Sequence, residues 1–317
     1  MTKGYFSMNI HQTGTFLSAD GIHDISYHII LPENNIKGII QISHGMCEYF
    51  DRYMDFAEYM ADNGFIVCGN DHLGHGNSIN TDDELGYFSQ ENGWQNVVSD
   101  LYTLTGIMKE KYHNIPYFLF GHSMGSFMAR AYSVLYAKCL NGTVFCGTSG
   151  GMIAIDKIIT VIQKIKKVKG EYFRSEKIYK LAFDSYNKKI PDCSSKNDWI
   201  SRDKEIVDKY NRDPKCTFNF TINGYENLMG VLKYVSDDAW FLGYKKDLPT
   251  LLIAGNADPV GDYGKGVYKV FSKLSENSCN VGIKLYSGAR HELLNEINRM
   301  EVYNDLLTFF RFHSDNN

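Results

Sequence analysis

The first candidate for chemistry is a serine between two glycines, in Gly121-His122-Ser123-Met124-Gly125. The apolar run Tyr117-Phe118-Leu119-Phe120 leads into it, and a helical pattern follows over residues 123 to 140. A G-x-S-x-G segment between a strand and a helix is typical of a nucleophile elbow, whose tight turn exposes the serine hydroxyl above a sheet. The segment therefore predicts that Ser123 is a nucleophile and that the Met124 amide points to where an oxyanion would form.

Two further residues could activate this hydroxyl, because serine is a poor nucleophile until a base takes its proton. Asp258 follows the apolar run Thr250-Leu251-Leu252-Ile253-Ala254, and His291 follows the apolar run at residues 281 to 286. Both come after strands, as Ser123 does, and the order Ser, Asp, His is the one that accompanies such an elbow. We predict that His291 is the base and Asp258 the acid that orients it, with Asp262 as the alternative acid.

A second oxyanion donor is expected in Ser43-His44-Gly45-Met46, which follows the first apolar run of the series. Glycine there lets the backbone approach a substrate, so the Met46 amide is predicted to act beside the Met124 amide. The side chain of His44 is interpreted as a core group that holds this loop. His122 is not expected to be the base, because a residue next to the serine points elsewhere at an elbow.

The segment Asp71-His72-Leu73-Gly74-His75-Gly76-Asn77-Ser78 contains possible metal ligands. No further ligand cluster occurs at a plausible spacing, and the glycines suit a tight turn beneath the site. Asp71 and His75 are therefore interpreted as structural, and no metal or cofactor is predicted.

Short apolar runs alternate with helical patterns along most of the chain, which indicates βαβ units and a parallel sheet buried on both faces. A hairpin is predicted around Asp20-Gly21, and the last helical pattern covers residues 293 to 312. Residues 150–238 have helical patterns without strand runs. We predict an α/β fold with a mostly parallel central sheet and helices on both faces. Its core comprises residues 1–149 and 239–317, and residues 150–238 form an inserted helical cap over the strand carboxyl ends.

Composition excludes several other classes. The 317 residues carry a net charge of −4, without the basic character that a nucleic-acid partner usually requires. Seven scattered cysteines do not indicate a disulfide framework. No run of about 18 apolar residues suggests a membrane span, and residues 1–7 lack the apolar stretch of a signal peptide. We therefore expect a cytoplasmic protein, and the oligomeric state stays open.

Residues 151–190 depart from this acidic balance, with ten Lys or Arg against four Asp or Glu. They also hold an apolar stripe at helical spacing, formed by Met152, Ile155, Ile158, Ile159, Ile162, Ile165 and Val168. The stripe could pack on the site, or the basic amphipathic helix could lie on a membrane. We favour packing and expect the stripe to line an acyl tunnel, with a basic rim that meets anionic lipid.

Five segments carry a recognisable pattern in order and spacing: His44-Gly45-Met46-Cys47-Glu48 with Arg52-Tyr53, Asp71 to Ser78, Gly121 to Gly125, Asp258-Pro259-Val260-Gly261 and Ala289-Arg290-His291-Glu292. This set resembles the monoacylglycerol lipase and lysophospholipase group of α/β-hydrolases (serine aminopeptidase S33 type) over nearly the whole chain. The resemblance implies a Ser123/Asp258/His291 triad, oxyanion amides of Met46 and Met124, and hydrolysis of lipid-like esters without a cofactor.

The stretch from Asp198 to Asp203, with Asp213-Pro214, resembles bacterial lysophospholipase-like members. Cys47 replaces a small residue that is common in the group, and Leu73 stands where arginine is common. Both departures concern the shape of the substrate pocket near the oxyanion loop. The chain is predicted to hydrolyse esters with a medium or long acyl group. The alternatives are an aminopeptidase, whose acidic subsite Glu48 and cap acids could supply, and a non-catalytic binding protein.

Overall fold

The computed structural model describes residues 9–33, 35–191 and 193–315. Residues 1–7, which carry the prediction of no secretory leader, lie outside this part of the chain. The described residues form one eight-stranded sheet. Its strands are β1 (Ile10–Leu17), β2 (Asp24–Leu31), β3 (Gly38–Ser43), β4 (Phe65–Asn70), β5 (Tyr117–His122), β6 (Gly142–Cys146), β7 (Thr250–Gly255) and β8 (Val281–Tyr286).

The α-helices of the described residues are α1 (Met54–Asp62), α2 (Gly93–Lys111), α3 (Met124–Leu135), α4 (Ile155–Lys169), α5 (Glu176–Phe183), α6 (Lys204–Arg212), α7 (Ile222–Ser236), α8 (Asp238–Gly243), α9 (Lys265–Glu276) and α10 (Arg299–Asp315). Short 3-10 helices cover Phe50–Tyr53, Asp82–Glu84, Ala137–Cys139, Tyr186–Lys189, Asp198–Ile200 and Leu293–Asn295. Within the three described ranges, no helix is both long and apolar enough to cross a bilayer.

The strand order is β1-β2-β4-β3-β5-β6-β7-β8. Strands β3 to β8 pair in parallel, while β1 and β2 form the predicted antiparallel hairpin, and β2 is also antiparallel to β4. Alternate side chains of β5 enter opposite layers: Leu119 packs with α2 and α3, and Phe120 packs with α1 and α10. Burial on both faces explains why the strands appear as continuous apolar runs. The predicted fold class is confirmed.

The helices α4 to α8 lie in the long connection between β6 and β7. Helix α7 packs against α2 and α3, which lie on one face of the sheet, and α4 packs against α7. The described segment is thus helical, as its pattern indicates. The division of the chain at residues 150 and 238 stays a prediction.

The predicted helix over residues 293 to 312 begins too early. The structure has a 3-10 turn at Leu293–Asn295, and α10 begins at Arg299. The reason is Glu296, whose fully buried carboxylate accepts hydrogen bonds from the backbone amides of Arg290 and Arg202. These bonds hold residues 290–297 in a loop rather than in a helix.

Candidate active site

Ser123 lies between the end of β5 and the start of α3, with φ 53° and ψ −121°. A positive φ is costly for a residue with a side chain, and such strain is common at functional sites. The turn is possible because Gly125 lacks a side chain: a Cβ there would lie 2.0 Å from the Ser43 carbonyl oxygen. The elbow therefore brings the start of α3 directly against the loop that follows β3.

His291 and Asp258 meet behind this elbow. His291 Nδ1 lies 2.9 Å from Asp258 Oδ2, and the second carboxylate oxygen accepts a hydrogen bond from the Val260 amide at 2.9 Å. Asp258 is fully buried, whereas the alternative acid, Asp262, is exposed. His291 Nε2 is buried and has no hydrogen-bond partner among the described residues. Ser123 and His291 line the same cavity.

The two predicted oxyanion donors lie in the loop after β3, at Met46, and in the elbow itself, at Met124. A Cβ on Gly45 would be 3.1 Å from Ser123 Cβ, so this loop passes directly beside the serine. The Gly45 amide is bonded to Glu48 Oε1 at 2.5 Å, and Met46 follows it at the cavity wall. Met124 is the first residue of α3, where amides have no acceptor within the helix.

Behind this loop lies a polar cluster, formed by Glu48, Arg52, Tyr53, His122 and Glu292. Arg52 binds Glu292 through two bonds of 2.7 and 2.6 Å and Glu48 through one of 3.0 Å. His122 Nδ1 donates to Glu48 Oε1 at 2.9 Å and Nε2 donates to the His291 carbonyl at 3.3 Å. His122 thus faces away from the serine, and the cluster joins the oxyanion loop to the histidine loop.

Burial and charge oppose each other in this polar cluster. Burial works to raise the pKa of Glu48, but the facing His122 and Arg52 outweigh it and hold the pKa well below the ordinary value of 4.5. Burial works to lower the pKa of His122, but Glu48 outweighs it, so the pKa lies above 6.5. Donation from both ring nitrogens fits a protonated imidazole.

Three buried histidines support the same loop from below. His44 Nε2 accepts from the His72 amide at 2.8 Å, and His44 Nδ1 donates to the Gly45 carbonyl at 2.8 Å. Burial lowers the pKa of His72 to about 3 and that of His75 to about 4, so these rings are neutral near pH 7. No group of three or more His, Cys, Asp or Glu side chains in the described residues could hold a metal ion.

The cavity in front of Ser123 has a volume of about 360 Å³, within the range of ligand sites. Its walls are largely apolar and include Phe127, Leu228 and Leu232. Two apolar residues of the inserted segment, Met152 and Leu181, line the cavity and are 43% and 72% exposed, so they mark its mouth.

The expectation that the apolar stripe lines an acyl tunnel is wrong for most of its members. Only Met152 of the stripe lines the cavity. Ile155, Ile158, Ile159, Ile162 and Ile165 pack into the core layer instead, where α4 lies on α7. The physical reason is that α7 itself forms the cavity wall and presents a second apolar surface to α4.

The 3-10 turn Asp198–Ile200 places Trp199 over the histidine, with ring centroids 5.0 Å apart. The Glu292 amide donates to the Ile200 carbonyl at 2.7 Å, and Arg290 donates to the Asp198 carbonyl at 2.6 Å. The sequence predicted Glu48 only as a possible subsite for an amine, and neither Trp199 nor the rest of the polar cluster as part of the site, because their partners are up to 240 positions apart. The spacing of Glu48 and Arg52, which are paired four residues apart, was the one available signal.

Comparison with known proteins identifies a family. The family model described as serine aminopeptidase, S33, matches residues 34–298. Monoglyceride lipase of Rattus norvegicus is 30% identical over 280 residues, which cover 87% of this chain and 82% of that protein. Monoacylglycerol lipase of Mycolicibacterium smegmatis is 28% identical over 303 residues, which cover 94% and 96%.

Among solved structures, a thermostable carboxyl esterase from Bacillus coagulans, in complex with glycerol, is similar in fold with a TM-score of 0.90. It is 30% identical and the match covers 96% of this chain and 99% of that one. The likeness therefore includes the inserted helical segment as well as the sheet.

Proposed function

The chain belongs to the serine aminopeptidase S33 family of α/β-hydrolases, and from that premise we propose that it hydrolyses carboxylic esters of monoacylglycerol or lysophospholipid type. The observation that carries this proposal is the His291–Asp258 pair, 2.9 Å apart, behind a strained serine at an apolar cavity. An apolar cavity suits an acyl chain. The lipases and the esterase among the relatives add support.

In the proposed reaction, Ser123 Oγ attacks the ester carbonyl while His291 Nε2 takes the hydroxyl proton. The Met46 and Met124 amides stabilise the oxyanion, and donors of this kind are each worth about 2.7–4 kcal/mol in the transition state. His291 then returns the proton to the leaving alcohol, which leaves an acyl-enzyme on Ser123. Water, activated by the same histidine, releases the fatty acid, and Asp258 orients the imidazole in both steps.

An aminopeptidase requires a carboxylate that is free to bind the substrate amine. Glu48 and Glu292 are the carboxylates that line the cavity within the described residues, and both are already bound to Arg52. The site therefore favours a neutral ester over an N-terminal amine. Aminoacyl-naphthylamides test this preference, because rapid release of naphthylamine would support the peptidase.

The proposal is tested with p-nitrophenyl esters from acetate to palmitate, using the wild type and Ser123→Ala. We expect turnover to rise toward longer chains and to fall by about 10⁴- to 10⁶-fold in the variant. Turnover of acetate alone would indicate a small-substrate esterase. Lack of turnover on any ester would contradict the proposal and favour the peptidase or the non-catalytic binding protein.

We also propose that the outer face of α4 contacts anionic membranes peripherally. Ile153 before the helix and Val161 and Val168 within it are 95%, 50% and 78% exposed, and Lys157 and Lys164 are interleaved with them. Exposed apolar residues between lysines are typical of helices that lie on lipid surfaces. The mouth of the cavity, at Met152 and Leu181, belongs to the same inserted segment.

This membrane contact is tested by co-sedimentation with phosphatidylglycerol and phosphatidylcholine vesicles. We expect Lys157→Glu/Lys164→Glu to weaken binding to the anionic vesicles at least about tenfold, since each basic residue near the surface contributes about 1 kcal/mol. The matched control is Lys265→Glu/Lys269→Glu, which makes the same charge change on α9. Equal effects of both pairs, or equal binding to the two vesicle types, would contradict a specific contact through α4.

A further inference from the structure

Arg130 lies in α3, about two turns from Ser123, and its side chain is fully buried. Its guanidinium donates from Nη1 to the Ser149 carbonyl at 3.0 Å and approaches Thr148 Oγ1 at 3.4 Å. From Nη2 it donates to the Val235 carbonyl. One side chain therefore binds two backbone segments that are far apart in sequence.

These two segments lie at the two ends of the predicted insertion, residues 150–238. Thr148 and Ser149 follow β6, where the chain leaves the sheet, and Val235 lies in the last turn of α7, which α8 and then β7 follow. The ends also touch each other: a Cβ on Gly151 would lie 2.9 Å from Ser236 Oγ. Arg130 therefore ties both ends of the insertion to the helix that begins at the candidate nucleophile.

A buried cation here requires a reason, because an unpaired charge away from water is costly. No carboxylate of the described residues forms an ion pair with Arg130, and burial lowers its pKa to about 9, so it remains charged at neutral pH. Compensation comes from carbonyl oxygens, including one at the negative end of α7, and from the Trp240 ring at 4.5 Å. Apolar packing alone would be better served by an uncharged side chain.

We propose that Arg130 is a positioning residue that fixes the root of the insertion, and so the width of the acyl cavity. Ser149 and Gly151 at one end and Leu228 and Leu232 on α7 line that cavity. Without the guanidinium bonds the two ends can separate from α3, and the cavity wall moves with them. This inference rests on the proposed ester hydrolysis, and it assigns Arg130 no contact with the reacting atoms.

The test compares Arg130→Met and Arg130→Lys with Ser133→Ala, which removes a buried hydrogen bond on the same helix without touching the insertion. For Arg130→Met we expect KM for p-nitrophenyl decanoate to rise by about tenfold or more, since small displacements of a site can cost up to about 10²-fold. The loss on p-nitrophenyl acetate should be smaller. Hydrogen exchange should accelerate at residues 149–152 and 233–237 together. Arg130→Lys should restore part of both effects, and Ser133→Ala should show neither.

Equal losses on acetate and decanoate, or faster exchange at one end of the insertion only, would overturn the proposal. If Arg130→Met does not fold, the same KM and hydrogen-exchange measurements on Arg130→Lys test the proposal, because a single ammonium cannot hold both segments in the same way. If the wild type hydrolyses no ester, the proposed function fails on its own. Exchange at the two ends then still tests whether Arg130 joins them.

Discussion

Two parts of the inserted segment are held in place in different ways. Around Asp198–Ile200 it is held by hydrogen bonds to the loop of His291: Ile200 accepts from the Glu292 amide at 2.7 Å, and Asp198 and Ser201 accept from Arg290 at 2.6 and 2.8 Å. We call residues 198–202 the anchored turn. At its end, Arg202 binds the fully buried Glu296 at 2.8 Å.

Helices α4 and α5, which we call the outer helices, are attached mainly by apolar packing and by ion pairs near the surface. The stripe of α4 packs on α7, and Lys166 pairs with Glu226 at 2.9 Å. Such exposed pairs are typically worth about 0–1 kcal/mol. Val168 and Leu181 remain 78% and 72% exposed.

The difference indicates that the anchored turn and the outer helices have different roles in one insertion. Directional hydrogen bonds can hold an imidazole in a productive position, because a shift of about 1 Å can cost about 10²-fold in rate. Apolar packing is not directional and allows adjustment, which suits a mouth that must admit an acyl chain. We therefore expect substitutions at the anchored turn to change kcat and substitutions at the outer helices to change KM for long substrates.

The largest effect is expected in the candidate triad, whose His291 contacts the anchored turn. Asp258→Asn keeps the size of the side chain but favours the wrong tautomer of His291, and comparable changes lower kcat by about 10⁴-fold. Steady-state hydrolysis of a p-nitrophenyl ester measures this loss of kcat. The matched control is Asp262→Asn, at an exposed position. Equal losses in the two variants would contradict the assignment of Asp258.

The next effect tests the anchored turn itself. Arg290→Met removes the bonds to the Asp198 and Ser201 carbonyls, and we expect kcat to fall by about 10- to 10²-fold with a smaller change in KM. The exposed Arg311→Met is the matched control. A change in KM alone would contradict the role of the anchored turn in setting kcat.

A third prediction concerns the polar cluster behind the anchored turn. The lowered pKa of Glu48 means that its stabilisation is present above 4.5 and is lost as the pH falls through the lowered value. The raised pKa of His122 means that its stabilisation is present below 6.5 and is lost as the pH rises through the raised value. Their joint contribution to the free energy of unfolding is therefore largest between pH 4.5 and 6.5.

Glu48→Gln breaks this buried pair, and we expect it to lower the free energy of unfolding by about 3 kcal/mol in that window. Denaturant titrations across the pH range measure the difference from the wild type. Glu276→Gln, an exposed substitution of the same kind on α9, is the control. A difference that stays constant with pH would show that the pair does not titrate in the way described.

The smallest effect is expected at the outer helices. Leu181 and Leu242 are nearly equally exposed, at 72% and 73%, but only Leu181 lines the cavity. We expect Leu181→Ser to raise KM for p-nitrophenyl palmitate about fivefold, through the loss of apolar contact worth about 1 kcal/mol, and Leu242→Ser to leave it unchanged. Matching KM values for the two variants would show that Leu181 does not contact long substrates at the mouth of the cavity.

The fold was largely predictable because strands β3 to β7 are buried on both faces and appear as short apolar runs. The candidate site was predictable where spacing and chemistry coincide, at Ser123 and at the loops of Asp258 and His291. The start of α10 was not, because a buried Glu296 holds the preceding loop through bonds to distant amides. Nor was the packing of the α4 stripe on α7, in place of the cavity wall, because α7 is known as its partner only from the packing.

The central claim is that Ser123 is the nucleophile of a lipid ester hydrolase. A long-chain alkyl fluorophosphonate tests it directly, with the labelled residue mapped by mass spectrometry in the wild type, Ser123→Ala and His291→Ala. We expect one adduct, on Ser123, which is absent in Ser123→Ala and forms much more slowly in His291→Ala. An adduct on another residue, or an equal labelling rate in the wild type and His291→Ala, would contradict the assignment of Ser123 as the nucleophile.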